Sequence, residues 1–219
     1  MNRLVIEPHY FPSLEFFCAI LSAEQIIFEK NEHYVKQSYR NRCYINTNQG
    51  PLKLVVPVIH EPDNKTPFHM VRIDYSKNWI HHHWQSIQTA YGKAPFFEFY
   101  CEEIKHVLQQ NFEKLYELNI HLLSLCLKWL GVESQFSETV SYEKVFASGV
   151  EDFRSVISPK IPYSGRSIYR SVPYAQVFGN KFAPNLSFLD LLFGEGPRSL
   201  DILMASKKGE QLKIEIVFK

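Results

Sequence analysis

Apolar and polar residues in the amino-terminal part of the chain alternate in short runs around one helical pattern. Arg3–Glu7 and Gln25–Phe28 have strand patterns, and between them apolar residues recur at spacings of three and four from Leu14 to Leu21. This order predicts a βα unit beside a parallel pair of strands. The loop Glu7–Pro12 then lies at the carboxyl end of the first strand, where ligands bind in open α/β sheets.

A second pattern predicts a β-hairpin. Cys43–Thr47 and Leu52–Val58 alternate between apolar and polar residues, and Asn48-Gln49-Gly50 separates them. Three cations and an amide stand at its entrance, in Lys36, Arg40, Asn41 and Arg42.

The middle of the chain has the 3.6-residue period of amphipathic helices. Three helices are predicted, at Trp79–Tyr91, Phe96–Gln109 and Phe112–Leu130, and the last carries apolar residues on most of its circumference. In the first of them, Trp84 falls on the apolar face and is expected to be buried.

The remaining patterns are weaker. They predict strands at Met70–Asp74, Ser137–Tyr142, Tyr174–Phe178 and Leu212–Phe218, a brief helix capped by Asp152, a long loop at Ile161–Val172, and a short helix at Ser187–Phe193. Together the patterns favour an α/β fold, with α+β as the alternative. We expect a small mixed sheet with a βα unit and a hairpin, packed against a layer of about three to five helices in a single domain over residues 1–219.

The composition of the chain argues against several classes of function. The 219 residues are 45% hydrophobic and 21% charged, with a formal net charge of +1, so no nucleic-acid or membrane partner is expected. The four cysteines show no C-x-x-C spacing and are expected to be reduced thiols. Neither a signal peptide nor a membrane-spanning run is apparent, which predicts a cytoplasmic protein.

Three segments carry residue types suited to chemistry. In His81-His82-His83 the side chains point about 100° apart on a helix, so they cannot face one metal ion, and no metal site is predicted. His83 borders the apolar face and is either a proton-transfer residue or a partly buried histidine bonded to a backbone carbonyl. In the Glu7–Pro12 loop, the carboxylate of Glu7 and the imidazole of His9 follow a strand and can serve as general base or acid, unless Glu7 simply faces solvent.

The cations before the hairpin are the third segment. Guanidinium groups suit carboxylate or phosphate, so Lys36, Arg40 and Arg42 can hold an anionic ligand while Asn41 orients a ligand hydroxyl. The alternative is a solvated strand end with surface ion pairs to Glu29 or Glu32. No Walker A loop, Rossmann glycine motif or nucleophile elbow is present, and the sequence names no cofactor.

Several motifs, in order, resemble the WbqC-like protein family. They are Asn41-Arg42-Cys43-Tyr44-Ile45, Gly50–Val58, Trp79 with His83-Trp84, Tyr91 with Pro95-Phe96-Phe97, Pro173–Gln176, and Leu186–Leu192 followed by Gly196. Near the amino terminus Pro8, Tyr10 and Pro12 match the family pattern, whereas Glu7 and His9 interrupt it.

The resemblance implies a bacterial protein of surface-polysaccharide synthesis, such as O-antigen synthesis, in which a transferase acts on a sugar nucleotide. A nucleotidyltransferase of the HIGH type is a further alternative, although the paired histidines of that signature are missing. A non-catalytic binding or assembly protein, in which the same residues form a structural polar network, is the competing hypothesis.

The leading hypothesis is therefore a transferase with a small-molecule anionic substrate. Its pocket would combine proton transfer by His83 or Glu7 with substrate binding by Tyr10, Lys36, Arg40, Asn41, Arg42 and Gln176. Asp190 and Tyr91 would hold the pocket residues in place without contacting the substrate themselves. Asp190 lies among Leu and Phe residues and either faces solvent or is buried, in which case it needs a cation or several donors. We favour the buried alternative, with the hairpin cations, Arg166 or Arg170 as available partners. The sequence does not determine the oligomeric state.

Overall fold

The computed structural model describes residues 2–59, 65–132, 136–179 and 181–208. The helices are α1 (Leu14–Ile20), α2 (Trp79–Tyr91), α3 (Phe97–Gln109), α4 (Leu115–Trp129), α5 (Phe188–Glu195) and α6 (Ser199–Ser206). The strands are β1 (Arg3–Ile6), β2 (Gln25–Phe28), β3 (Arg42–Ile45), β4 (Leu52–Val55), β5 (Phe136–Glu138) and β6 (Val150–Asp152). Short 3₁₀ turns lie at Phe68–Met70, Tyr163–Gly165 and Gly196–Arg198.

Four strands form a parallel sheet in the order β5-β2-β1-β6. Arg3 pairs with Gln25 of β2 on one side and with Val150 of β6 on the other. The chain therefore builds outward from β1 through β2 to β5, and then returns to the opposite side of β1. This reversal of strand order creates a crevice at the carboxyl ends of β1 and β6. The predicted α/β class and βα unit are confirmed.

The predicted hairpin is also present, as a separate antiparallel sheet of β3 and β4. Arg42 lies opposite Val55 and Ile45 lies opposite Leu52. Gly50 closes the turn with a φ of +96°, a conformation that favours glycine. Cys43 and Ile45 are buried while Arg42 and Tyr44 are half-buried, so one face of β3 packs on the core.

Apolar helix faces supply most of the core. Every residue of α1 is buried, including Phe16 and Phe17, because this helix lies between the parallel sheet and α6. Helix α4 buries Leu115, Leu118, Leu122, Leu123, Cys126 and Leu127, which agrees with its nearly two-sided apolar pattern. Gly131 ends α4 with a φ of +64°, as a C-terminal cap.

Three of the weaker predictions differ from the structure, and a fourth concerns residues that the structure does not describe. Met70–Asp74 forms only isolated bridges, through Arg72 and Ile73, after the 3₁₀ turn, and Tyr174–Phe178 is irregular. Asp152 ends strand β6 instead of capping a helix, because Val150–Asp152 pairs with β1. Leu212–Phe218 lies outside the described residues. No helix in the described part of the chain is long and apolar enough to cross a membrane.

The two tryptophans of α2 differ in burial, which predicts different stability effects. Trp79 is 4% exposed, whereas Trp84 is only half-buried, with its ring centroid 6.3 Å from that of Phe97. The expectation that Trp84 is buried is thus wrong, and Nζ of Lys105 lies over its ring, 5.5 Å from the centroid. We expect Trp79→Ala to lower the free energy of unfolding by about 3–5 kcal/mol and Trp84→Ala by clearly less. Urea unfolding of both variants measures this difference, and equal losses would contradict it.

Candidate functional site

Charged and polar side chains follow all four parallel strands at their carboxyl ends. Glu7 follows β1, Glu29 follows β2, Thr139 follows β5 and Arg154 follows β6. The segment that precedes the hairpin lies over this edge, because the amide of Tyr10 donates to the carbonyl of Tyr39 at 3.0 Å. The sheet edge and this segment together enclose the carboxyl-edge cluster, which we define as Glu7, His9, Glu29, Glu32, Arg40 and Arg154.

Arg40 is the central cation of the cluster and is completely buried. Its Nη2 donates to the carboxylate of Glu32 and to Oγ of Ser155 at 3.2 Å, and lies 3.3 Å from Oε1 of Glu7. The guanidinium carbon stands 5.6 Å from the ring centroid of Phe68, a cation–π arrangement. Its Nε and Nη1 have no hydrogen-bond partner among the residues that the structure describes.

Glu7 is held as a permanent anion beside Arg40. Burial alone would raise its pKa, but the charge of Arg40, the hydrogen bond and charge of His9, and the backbone N–H of Ser155 together lower the pKa to about 2. The Ser155 amide donates to Oε2 of Glu7 at 3.0 Å. A carboxylate with so low a pKa is a weak base at neutral pH, so Glu7 is better suited to orienting its neighbours than to accepting a proton.

His9 is the imidazole that Glu7 orients. Its Nε2 lies 3.5 Å from Oε1 of Glu7, and its ring packs between Phe16 and Tyr39 at centroid distances of 4.6 and 5.4 Å. Burial, followed by the charge of Arg40, outweighs Glu7 and lowers the pKa of His9 below its ordinary 6.5, so the ring is neutral at pH 7. With Nε2–H directed at Glu7, the lone pair of Nδ1 has no partner in the described chain. His9 thus has the orientation and protonation state of a general base.

A second ion pair completes the cluster. Glu29 is fully buried and accepts hydrogen bonds from Oγ1 of Thr139 at 2.8 Å and from Nη1 of Arg154 at 3.3 Å. Arg154 also binds Asp152 through two nitrogens, at 2.8 and 2.6 Å. Rings of Tyr142 and Phe146 lie 5.1 and 4.5 Å from its guanidinium carbon.

Carboxylates outnumber arginines in this region. Arg40 and Arg154 are surrounded by Glu7, Glu29, Glu32 and Asp152. An anion that bound Nη2 of Arg40 would have to displace a carboxylate, and the more accessible of the two that contact this nitrogen is Glu32, which is 13% exposed.

His83 and Tyr10 lie outside this cluster and bind each other. The Tyr10 hydroxyl is 2.8 Å from Nδ1 of His83, and Nε2 of His83 is 3.2 Å from the carbonyl of Val55. Desolvation is the main reason that the pKa of His83 falls to about 4, so the neutral ring accepts from Tyr10 and donates to Val55. Both ring nitrogens are used, and His83 joins α2 to the β1–α1 loop and to β4. The geometry gives it a positioning role.

The other substrate-binding candidates at the hairpin entrance differ in how deeply they are buried. Lys36 is exposed, Arg42 is half-buried, and Asn41 is buried with its Nδ2 donating to the carbonyl of Val56 at 2.9 Å. Arg42 donates to Oδ1 of Asn41 through Nε and Nη2 in two long hydrogen bonds, both of 3.4 Å. Of these four residues, Arg40 is the one whose side chain contacts the carboxyl edge, through Glu7, Glu32 and Ser155.

A second polar group consists of Asp190, Tyr91, Tyr174 and Gln176, and we call it the Asp190 clamp. Asp190 accepts hydrogen bonds from the hydroxyls of Tyr91 at 3.0 Å and Tyr174 at 2.7 Å, and from Nε2 of Gln176 at 2.7 Å. The expected burial of Asp190 is confirmed, and of the two kinds of partner expected, several neutral donors are present instead of a cation. The named cationic partners are wrong, since Arg166, for example, pairs with Glu15.

Comparison with known proteins places the chain in a family. The model of the WbqC-like protein family matches residues 7–154. The chain belongs to the WbqC-like family. It is also 25% identical over 228 aligned positions to the uncharacterized protein Rv1507c of Mycobacterium tuberculosis (strain ATCC 25618 / H37Rv), covering 91% of this chain and 96% of that protein. No solved structure matches significantly.

The match of the WbqC-like family spans the whole carboxyl-edge cluster, from Glu7 to Arg154. The sequence pattern pointed to the carboxylate and imidazole of the Glu7–Pro12 loop, but the proton-transfer role was assigned to Glu7 or His83 and not to His9. Glu29, Glu32 and Arg154 were not assigned to the site. His9 stood in a segment already singled out, and its position just after a predicted strand was the available signal. Arg154 had no such signal, because β6 is a strand of three residues in a weakly patterned region.

The described part of this WbqC-like protein contains no evident metal-binding site. Across residues 2–59, 65–132, 136–179 and 181–208, no group of three or more His, Cys, Asp or Glu side chains could hold a metal ion. Cys18, Cys43, Cys101 and Cys126 are all buried and unpaired.

The low pKa of His83 predicts a pH dependence of stability. The unfolded chain binds a proton at His83 below about pH 6.5, whereas the folded protein does so only below about pH 4. Stability from this group is therefore complete above pH 6.5 and is lost as the pH falls from 6.5 to 4, by about 1.4 kcal/mol per unit. Urea unfolding between pH 7.5 and 4.5 should show a shallower slope for His83→Gln than for the parent, and identical slopes would contradict the assignment.

The Asp190 clamp predicts opposite outcomes for two substitutions. Burial, the largest influence, outweighs the hydrogen bonds of Tyr174, Gln176 and Tyr91 and raises the pKa of Asp190, so losing its charge costs little. Asp190→Asn should keep the stability of the parent within about 1 kcal/mol. Asp190→Leu leaves three donors unpaired at about 1–3 kcal/mol each and should be strongly destabilised. Thermal unfolding of both variants tests this, and equal melting temperatures would show that the clamp carries no stability.

Proposed function

We propose that the protein is a cytoplasmic transferase that moves a group from an anionic donor to a hydroxyl acceptor. The observation that carries the proposal is the arrangement of Glu7, His9 and Arg40 at the carboxyl edge of the sheet, where strand order reverses. A sugar nucleotide is the donor class that we favour, and surface-polysaccharide synthesis is the process to which the family resemblance points.

His9 is the proposed general base. Glu7 lies beside Nε2 and fixes the tautomer, which leaves the Nδ1 lone pair to take a proton, as in catalytic dyads of other enzymes. The acceptor O–H passes its proton to Nδ1, and its oxygen forms a bond to the transferred group. The bond from that group to the leaving phosphate oxygen breaks, and the phosphate retains the electron pair.

Arg40 is the proposed partner of the leaving phosphate. Its Nη2 is occupied by carboxylates, but Nε and Nη1 are buried donors without partners among the described residues. A buried donor without a partner costs about 1–3 kcal/mol, so a ligand oxygen at either nitrogen would recover that free energy. A phosphate that replaced Glu32 would reach Nη2 as well.

Backbone strain at the same edge supports a functional assignment. Ser155, whose amide and hydroxyl contact Glu7 and Arg40, has a φ of +58°, and Phe11 in the β1–α1 loop has a φ of +38°. Such conformations in residues other than glycine cost about 1–3 kcal/mol and concentrate at functional sites. Because His9 and Arg40 are completely buried, the reaction requires a segment over the edge to open and admit the substrate.

That complete burial also favours a second candidate function. A non-catalytic protein could use the carboxyl-edge cluster only to join β1, β6 and the segment that precedes the hairpin. The two functions differ in whether ligands reach Arg40 and whether a donor is turned over.

Ligand binding distinguishes an anion site at Arg40 from a closed structural network. We expect a nucleoside diphosphate or its sugar conjugate, from a panel of uridine, guanosine and thymidine compounds, to stabilise the parent. The gain is about 2.7 kcal/mol at 100 times the dissociation constant, measured by thermal unfolding. Arg40→Lys should bind at least tenfold more weakly, because an ammonium cannot reproduce the guanidinium donors.

The matched control is Arg166→Lys. Arg166 is also a mostly buried arginine paired with a glutamate, through two hydrogen bonds of 2.6 Å to Glu15, but it lies outside the cluster. Glu32→Gln should strengthen binding, since it frees Nη2 of Arg40. Failure of every compound to bind, or equal losses in both lysine variants, would contradict the anion site. Binding without turnover by any acceptor would favour the non-catalytic function.

A further inference from the structure

A polar cleft lies between the turn of the β3–β4 hairpin and the outer face of α2, apart from the residues of the carboxyl-edge cluster. Its volume is about 920 Å³, within the range of about 300–1,000 Å³ typical of small-molecule sites. Eight of its eleven lining residues are polar, and none is Asp, Glu, Lys or Arg. Ligand pockets are usually lined mainly by apolar groups, so this cleft is suited to a different kind of ligand.

Side-chain amides dominate the polar lining. Asn48 and Gln49 project from the hairpin turn, and Gln85 and Gln88 project from α2. None of these four amides has a side-chain hydrogen bond to the rest of the described chain, and all four residues are exposed. Each amide offers two donors and one carbonyl acceptor, which suits a ligand whose groups both donate and accept. Hydroxyl groups have that property, whereas phosphates and carboxylates only accept.

One wall of the cleft is held in place by the Asp190 clamp. Phe178 lines the cleft, and its carbonyl accepts from Nδ2 of Asn46 at 3.1 Å. The segment that carries Phe178 is fixed to α5 by Gln176, which binds Asp190 and both the N–H and the carbonyl of Ala183.

Close packing adds to this attachment. The amide of Ala175 donates to Glu195 at 3.0 Å, and a Cβ at Gly194 would lie 2.5 Å from the Ala175 carbonyl. The irregular segment is thus anchored at several points, so the position of Phe178 is fixed before a ligand arrives.

We propose that this cleft binds an uncharged, hydroxyl-rich carbohydrate, with the four amides bonded to its hydroxyls and Phe178 packed against its C–H groups. The absence of charged lining residues argues against an anion, and the eight polar residues of the lining favour a ligand that carries many hydrogen-bonding groups. The inference does not use the chemistry proposed for His9 and Arg40.

The test is titration of the ¹⁵N-labelled protein with maltotriose, cellotriose, mannotriose and triacetylchitotriose, followed by NMR. We expect at least one trisaccharide to shift the resonances of Gln49, Gln85, Gln88 and Phe178. The double variant Gln85→Ala Gln88→Ala should bind that sugar at least tenfold more weakly. Its matched control is Gln109→Ala Gln110→Ala, which removes two exposed amides at the end of α3 and should bind like the parent.

Three results would overturn the proposal. They are no binding of any of the four sugars, binding that both double variants retain, and shifts confined to residues outside the cleft. A Ser-Gly repeat peptide that binds the cleft when no sugar does would assign it to peptides instead. Arg40→Lys should leave sugar binding unchanged, so failure of the anion site and failure of the carbohydrate site can be told apart.

Discussion

The burial of the Arg40 guanidinium is the constraint on which the arrangement of the carboxyl edge depends. A buried charge is strongly destabilising unless it is paired, and one partner alone does not satisfy a guanidinium. Arg40 obtains Glu7 from the end of β1, Glu32 from beyond β2, Ser155 from beyond β6 and the ring of Phe68. Segments far apart in the sequence must therefore meet at one point, which also places His9 beside Glu7.

Two of the buried carboxylates, Glu7 and Asp190, are stabilised in different ways. Glu7 meets a cation, and its pKa falls to about 2. Asp190 meets only neutral donors, and burial raises its pKa despite the hydrogen bonds of Tyr174, Gln176 and Tyr91. The ion pair with Arg40 therefore keeps Glu7 charged at neutral pH. The Asp190 clamp serves instead to attach an irregular segment to α5, a task for which donor geometry matters more than charge.

The hydrophobic pattern correctly predicted the helices and strands whose formation depends on residues close together in the sequence. The period of α2 to α4, the hairpin and the β1–α1–β2 unit all follow from spacing within about 15 residues. Met70–Asp74 has the alternation of a strand, yet finds only isolated bridges, because no neighbouring segment is free to pair along its length. Strand β6 exists only through its pairing with β1, about 145 positions away, so nothing in its own residues identifies it. The same limit explains why Arg40 was assigned to the site while Glu29 and Arg154 were not.

Helix α2 separates the two polar regions of the molecule by its two faces. On its buried face, both ring nitrogens of His83 are hydrogen-bonded, one to the Tyr10 hydroxyl and the other to the carbonyl of Val55. His83 therefore fixes the helix against the β1–α1 loop, which also carries His9. On its outer face Gln85 and Gln88 keep their amides unbonded within the described chain. A polar group that is buried must be satisfied by the fold, whereas one that is exposed stays available to a ligand. The charged cluster is therefore closed, whereas the amide cleft is open, and binding at the cleft requires no rearrangement of the core.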